Sequence, residues 1–161
     1  MNQVNPNPAS GGAGPIRRAG FPHFVSMGTR WMDNDAYGHV NNVVYYSFFD
    51  TAVNIYMLDH GVLDYAQGEV IQFVVESGCR YFAPIAFPQT VAAGLRVARL
   101  GNSSVRYEIA LFVGDDDEAA AFGHFVHVCV DRRTQRPVAL PAPLQAALEP
   151  LVVADQAAVG A

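Results

Sequence analysis

NVVYYSFFDTAVNIYMLDH, residues 42–60, decides how the chain is read. Valine, tyrosine, phenylalanine and isoleucine are mediocre helix formers, and propensity alone points to a strand. The run is too long for that, because strands rarely exceed about ten residues. Asn41 and Asn42 stand where a helix N-cap belongs, and Gly61 stands where a helix stops. A helix is therefore expected. It is apolar almost all round, so it should be buried on most sides rather than lie on a surface.

Upstream, FVSMGTRWMD (24–33) places Val25, Met27 and Trp31 on one alternating face, which predicts a strand. The loop DNDAYGHVN (33–41) joins it to the helix. Downstream come four strand-like runs. Val70–Phe82 stops short of Pro84, and Thr90–Leu100 follows it. The turn Gly101-Asn102-Ser103 leads into Ser104–Val113, where Val105, Tyr107, Ile109, Leu111 and Val113 alternate with Arg106 and Glu108. An acidic turn, Gly114–Glu118, leads into Ala119–Asp131. The last three runs read as a meander. Pro141–Leu148 is expected to be a short closing helix.

The order predicts an α+β fold, an antiparallel sheet wrapped around one long central helix. Such a sheet has edges, and an exposed edge invites pairing with a second copy, so a homodimer is expected. Residues 1–20, rich in Asn, Pro, Gly and Ser, are expected to be a disordered arm, and residues 151–161 a flexible tail. The folded domain is then 21–150.

The 161 residues suit one domain, and 51% hydrophobic content supports a sizeable core. No apolar run is long enough to span a membrane. A net charge of −5 argues against a general nucleic-acid surface. All ten basic residues are arginine. Without lysine there is no Schiff-base lysine and no phosphate-loop or kinase lysine. Cys79 and Cys129 lack a CxxC spacing and read as two buried thiols in a reducing compartment. No secretory signal is apparent, which makes the cytoplasm the expected location.

Polar groups are densest where the first strand meets the helix: Asp33, Asp35, Tyr37, His39, Asn41 and Asn42. A helix N-terminus offers free N–H groups and the positive end of a dipole, which can hold an oxyanion developing on a carbonyl. A carboxylate just upstream supplies a general base for water or a nucleophile. That set is complete for acyl transfer to water without a metal or cofactor. Each residue also has a plainer reading. Asp35 is a good turn former, Asn41 and Asn42 are strong caps, His39 suits a structural hydrogen bond, and Tyr45 suits a core.

The stretch RWMDNDAYGHVNNVVYYSFFD (30–50) carries the pattern D-x-D-x-x-G-H-V-N-N-x-x-Y. It resembles the opening of hotdog-fold acyl-CoA thioesterases of the 4-hydroxybenzoyl-CoA thioesterase class, and also the corresponding stretch of acyl-ACP thioesterases. RYFAPIAFPQTV and RVARLGNSSVRYEIALF resemble the later strands of the same family. The resemblance covers about residues 22–135 and implies the hotdog fold. It implies that Asp35 is the catalytic carboxylate and that backbone amides near Asn42 and Val43 polarise the thioester carbonyl. From the acyl-ACP branch it implies a catalytic part for His39, although Tyr37 stands where that branch has asparagine. Gly38, Asn41 and Tyr45 fall within the same motif and are expected around the substrate. Arg80, Ser103 and Ser104 are candidates for the anionic nucleotide end. The implied partners are an acyl-CoA or acyl-carrier-protein thioester and further copies of the chain, as a homodimer or homotetramer with sites between subunits.

Two other readings remain beside the thioesterase. A hotdog hydratase or dehydratase would carry a paired Asp/His motif that is not found here. A non-catalytic acyl-CoA-binding or sensing protein would not need an intact Asp35. Elsewhere, His124 and His127 are three apart in a strand and should face opposite sides, which argues against a metal pair. Glu76 and Arg80 share a face and are expected to form an ion pair, or Arg80 to meet a phosphate.

Overall fold

The computed structural model describes residues 14–154. Its elements are β1 (His23–Gly28), α1 (Asn42–Asp59), β2 (Val70–Tyr81), β3 (Thr90–Leu100), β4 (Ser104–Val113), β5 (Ala121–Asp131) and α2 (Ala142–Leu148). The five strands form one antiparallel sheet in the order β1-β3-β4-β5-β2. This is the expected α+β hotdog arrangement, with the sheet curled around α1.

Helix α1 begins at its cap. The Asn41 side chain accepts from the Val43 amide at 3.2 Å. It ends where Gly61 turns to φ +65°, a conformation that glycine adopts without strain. Tyr45, Phe48, Phe49, Ala52, Val53, Tyr56 and Met57 are buried against the sheet. They meet the inner-facing residues of the strands, among them Val91, Leu95, Tyr107, Ile109, Leu111 and Phe125. Phe49 lies directly over Gly123, where a Cβ would come within 2.3 Å of the ring. The helix is not buried all round as expected, for Val43, Ser47, Asp50 and Thr51 are exposed along one flank.

The β3–β4–β5 meander and its turns follow the expected boundaries to within two residues. The first strand does not. It stops at Gly28, and Trp31–Asp33 form a 3-10 turn instead. The Arg30 amide donates to Asp33 Oδ2 at 2.7 Å, and the Arg30 guanidinium grips Oδ1 at 2.8 Å. This local cap outcompetes strand alternation and turns Trp31 into solvent, 81% exposed.

Residues 1–13 and 155–161, which hold most of the expected arm and tail, lie outside the described residues. Both expected boundaries shift. Residues 16–20 are docked on the β4–β5 hairpin: the Ile16 carbonyl accepts from Ala119 N, and Arg17 forms ion pairs with Asp117 and Glu118 at 2.6 and 2.9 Å. At the other end Leu151 is buried and the Val153 amide donates to Val97. Composition missed both, because the partners are far away in sequence.

Strand β2 is an edge strand, paired with β5 on one side. Its register shifts between Val74 and Glu76, so Val75 is a bulge residue. Gln72 and Val74 lie opposite Cys129 and His127 on the inner face, and beyond the bulge Ser77, Cys79 and Tyr81 take over that face. Phe73, Val74, Val75, Tyr81 and Phe82 are exposed. A long apolar edge of this kind is a template for pairing.

Candidate active site

Residues 33–41 form a small hairpin that folds back against the start of α1. Asn41 N donates to the Asp33 carbonyl at 2.8 Å, and Asp35 N donates to the His39 carbonyl at 2.8 Å. Gly38 closes the turn at φ +81°, which accounts for the glycine of the motif. Val40 is buried, its amide donating to the Ile85 carbonyl at 2.7 Å, and this pins the hairpin to the body.

Asp33 anchors the base of this hairpin. It ends the run predicted as a strand, yet it belongs to the 3-10 turn and is 1% exposed. Burial pushes its carboxyl upward, but the hydrogen bonds from the Arg30 side chain and amide outweigh this and leave it below the ordinary carboxylate range. Asp33 is therefore committed to structure.

Asp35 sits further out on the hairpin, half-buried. Its Oδ1 accepts from the Tyr37 amide at 2.8 Å, an Asx turn, while Oδ2 has no partner among the described residues. The plainer reading, a turn former, thus accounts for one oxygen and leaves the other available. Inside the first turn of α1, burial raises the Tyr45 phenol, and the charges of Cys79 and Asp35 add to that.

The helix start has one open amide. The Asn41 side chain caps Val43 N, and Val44 N donates to the Asn41 carbonyl at 2.9 Å. Asn42 N donates to no group among the described residues. The expected oxyanion donor at Asn42 is free, whereas the one at Val43 is already engaged. On the far side, the Tyr81 hydroxyl donates to the Asn42 carbonyl at 3.0 Å and its ring packs edge-on against Tyr45 at 4.9 Å. Sequence reading missed Tyr81. Its signal was position, for it ends the strand on the helix-facing side just before the break at Pro84.

The structure brings Asp35, Tyr37, Gly38, His39, Asn41, Asn42, Val43 and Tyr45 together. His39 contributes its carbonyl, and its exposed ring makes no hydrogen bond among the described residues. Arg80 does not join the group. It lies on the outer face of the sheet, its guanidinium over the rings of Phe82 and Phe122. Glu76 is on the same face but pairs with His124 and Arg106 rather than with Arg80. Ser103 and Ser104 close the β3–β4 turn at the opposite end of the sheet from Tyr81, where Ser103 O accepts from Cys129 N. Within the single chain none of the three adjoins the hairpin, for one reason: spacing along a strand fixes its face, but not which end or face adjoins the loop.

His124 and His127 do lie on opposite faces. His127 is buried beneath α1, its Nδ1 donating to Gln72 Oε1 at 3.1 Å, and burial pulls the imidazole down to about 4. Among the described residues no three His, Cys, Asp or Glu side chains converge as a metal cluster would require.

A thioesterase-like superfamily model matches residues 29–148. The chain belongs to the thioesterase-like superfamily. The PA5185 protein of Pseudomonas aeruginosa is 58% identical over 89% of this chain and all of its own, with a TM-score of 0.86. A Thermus thermophilus thioesterase, solved with coenzyme A and zinc, is 32% identical over 82% of this chain and 95% of its own, with a TM-score of 0.68. The PA2801 protein of Pseudomonas aeruginosa is 30% identical over 79% and 98% of the two chains, with a TM-score of 0.74. No curated protein matches the chain. Membership suits the hairpin, in which Gly38, Val40 and Asn41 all have structural duties and Asp35 keeps an oxygen to spare.

The single chain leaves this site open. Two surface hollows, of about 570 and 320 Å³, are lined by Arg17, Phe82, Pro84 and Glu118 and by Gly20, Phe21 and Arg96 respectively, and neither includes Asp35. No helix of the described residues is long and apolar enough to cross a membrane.

Proposed function

We propose that the chain hydrolyses an acyl-CoA thioester to the free acid and CoA, working as a homodimer. The observation that carries this is the unpartnered Asp35 oxygen on the hairpin that leads into the open Asn42 amide. The thioester carbonyl oxygen accepts from Asn42 N at the positive end of α1. Asp35 either attacks the carbonyl carbon or takes a proton from a water that attacks it. In the first route the C–S bond breaks, thiolate leaves, and water then hydrolyses the Asp35 anhydride. In the second the tetrahedral species expels the thiolate directly. Both consume one water and release acid and thiol, and neither requires a cofactor. The coenzyme A held by the Thermus thermophilus relative supports CoA over a carrier protein as the leaving group.

The dimer follows from what the single chain leaves bare. The open flank of α1 and the apolar edge of β2 adjoin the site, and a second copy along that edge would cover both. Two free thiols, Cys79 and Cys129, suit a reducing cytoplasm. The test is thiol release from a panel of aromatic and straight-chain acyl-CoAs. Turnover supports the reading, while tight binding without turnover would make the protein a sensor.

A further inference from the structure

Resting on the thioesterase reading, we propose that His127 sets acyl specificity, its Nε2 accepting from a hydroxyl carried far along a straight acyl chain. His127 is 4% exposed, and Nε2 is the one buried side-chain polar atom among the described residues that makes no hydrogen bond. A buried polar atom left unpaired costs stability, and most are paired in native proteins. The chain itself supplies nothing to pair with this one.

The neighbours of the ring fix what the missing group must be. Gln72 Oε1 accepts from the Tyr107 hydroxyl at 3.3 Å and from His127 Nδ1 at 3.1 Å, while Gln72 Nε2 donates to Met57 Sδ at 3.2 Å. The amide thus offers His127 an acceptor, which puts the ring proton on Nδ1. Burial keeps the imidazole neutral at neutral pH, so Nε2 holds a bare lone pair. What it needs is a donor. On an acyl chain a hydroxyl is one, whereas a keto group or a carboxylate brings only acceptors, and an ammonium would have to shed its water to enter.

Ring and amide contacts also place His127 along the helix. Phe125 packs against Tyr46 and Phe49 with centroids 6.4 and 6.3 Å away, and His127 lies next to Phe125 at 5.7 Å. On its other side Gln72 reaches Met57. His127 is therefore level with the stretch of α1 between Phe49 and Met57, about 15 Å along the helix from the Asn42 amide. Asn42, Tyr46 and Asp50 are four apart and form one stripe of α1, half-open to solvent. A chain whose carbonyl rests on Asn42 has that stripe to follow past Tyr46. His127 itself is paired with Val74 of the edge strand, 50% exposed, so it lies one strand in from the open side. A span of about 15 Å is roughly ten to twelve chain carbons, given bonds of about 1.5 Å in a zigzag. One hydroxylated ring on the carbonyl is too short.

Pairs of straight-chain acyl-CoAs of about eight to fourteen carbons, with and without a terminal hydroxyl, test this by thiol release. For the wild type the hydroxylated member should have the higher kcat/KM, by about tenfold near ten to twelve carbons, the effect of one hydrogen bond to a buried group. His127→Phe keeps a ring beside Phe125 and removes the acceptor, and the ratio within each pair should fall to about one or below. A structural defect alone would slow both members and leave the ratio as it was.

Equal wild-type rates on both members at every length mean that Nε2 holds water only, and they overturn the proposal. So does a preference that survives His127→Phe, and so does a wild type that turns over other acyl-CoAs but no member of these pairs. Should the variant fail to fold, inhibition of the wild type by the free acids decides instead. The hydroxy acid should bind about tenfold more tightly than the plain acid of the same length, and equal inhibition overturns the assignment. A wild type inert on every acyl-CoA, aromatic ones included, overturns the thioesterase reading and this proposal with it.

Discussion

The Tyr81 hydroxyl donates to the carbonyl of Asn42 at 3.0 Å, tying the end of an edge strand to the first residue of the central helix. Tyr81 is exposed along one side, but desolvation around its hydroxyl, with the neighbouring Cys79, raises that phenol above its ordinary range, so it stays a donor at any working pH. Tyr81→Phe keeps the ring against Tyr45 and removes the bond. The expected cost is about 1 kcal/mol, a fall of roughly 2–4 °C in Tm for a chain of this size. Thermal melts of the two proteins check it, and a fall in kcat beside an unchanged melt would show that the bond matters for the site alone.

Asp35→Asn is the sharpest test of the chemistry. An asparagine oxygen still accepts from the Tyr37 amide, so the Asx turn survives and the fold should be unaffected. The reactive carboxylate is lost, and kcat should drop by about 10³-fold. Turnover near the wild-type rate would remove Asp35 from the mechanism.

Gly38→Ala separates strain from crowding. A Cβ there meets nothing within 4 Å, but φ is +81°. The expected destabilisation is about 1 kcal/mol, wholly from the backbone. Because the same turn aims Asp35, kcat should fall more than stability does, and Gly38→Asn should restore part of both, since asparagine tolerates this region better than alanine.

Gly123→Ala acts on the core instead. The added methyl would come within 2.3 Å of the Phe49 ring and within 2.8 Å of the Gly78 carbonyl oxygen, a backbone atom of the neighbouring strand. We expect destabilisation of about 1–3 kcal/mol, measured by denaturant midpoint.

Acid should weaken the fold through His127. Its imidazole titrates at about 4 when folded, against 6.5 for the ordinary residue, because burial disfavours the cation despite the attraction of Asp50. Below about 6.5 the unfolded chain takes up a proton that the folded chain refuses. Stability is then lost as pH falls, by at most roughly 3 kcal/mol once pH is under 4. Asp33 acts in the same direction, since its carboxyl is held below its ordinary value. Urea titrations from pH 7 to pH 4 on the wild type and His127→Gln should show the smaller slope in the variant.

Much of the site was legible for local reasons. Gly38, Asn41 and Asp35 each do what their residue type does in any loop: turn, cap and accept from a nearby amide. Trp31 was misread because a carboxylate three residues from Arg30 makes a tighter local bond than strand alternation reveals. Where Arg80 and Ser103 lie relative to the hairpin was not legible, because that depends on how strands are ordered across the sheet.

Hydrophobic periodicity and the residues at the ends of each run determined the elements: one long helix, a three-strand meander, and a polar loop between strand and helix. These are short-range properties, decided within a few residues of chain. Tertiary structure alone decided that β2 lies at the edge beside β5, that Tyr81 reaches Asn42, and that residues 16–20 dock on the acidic turn. Those contacts join groups about 40 to 100 residues apart. They form because one inner sheet face has to cover one apolar helix, and no local pattern records which partners that packing brings together.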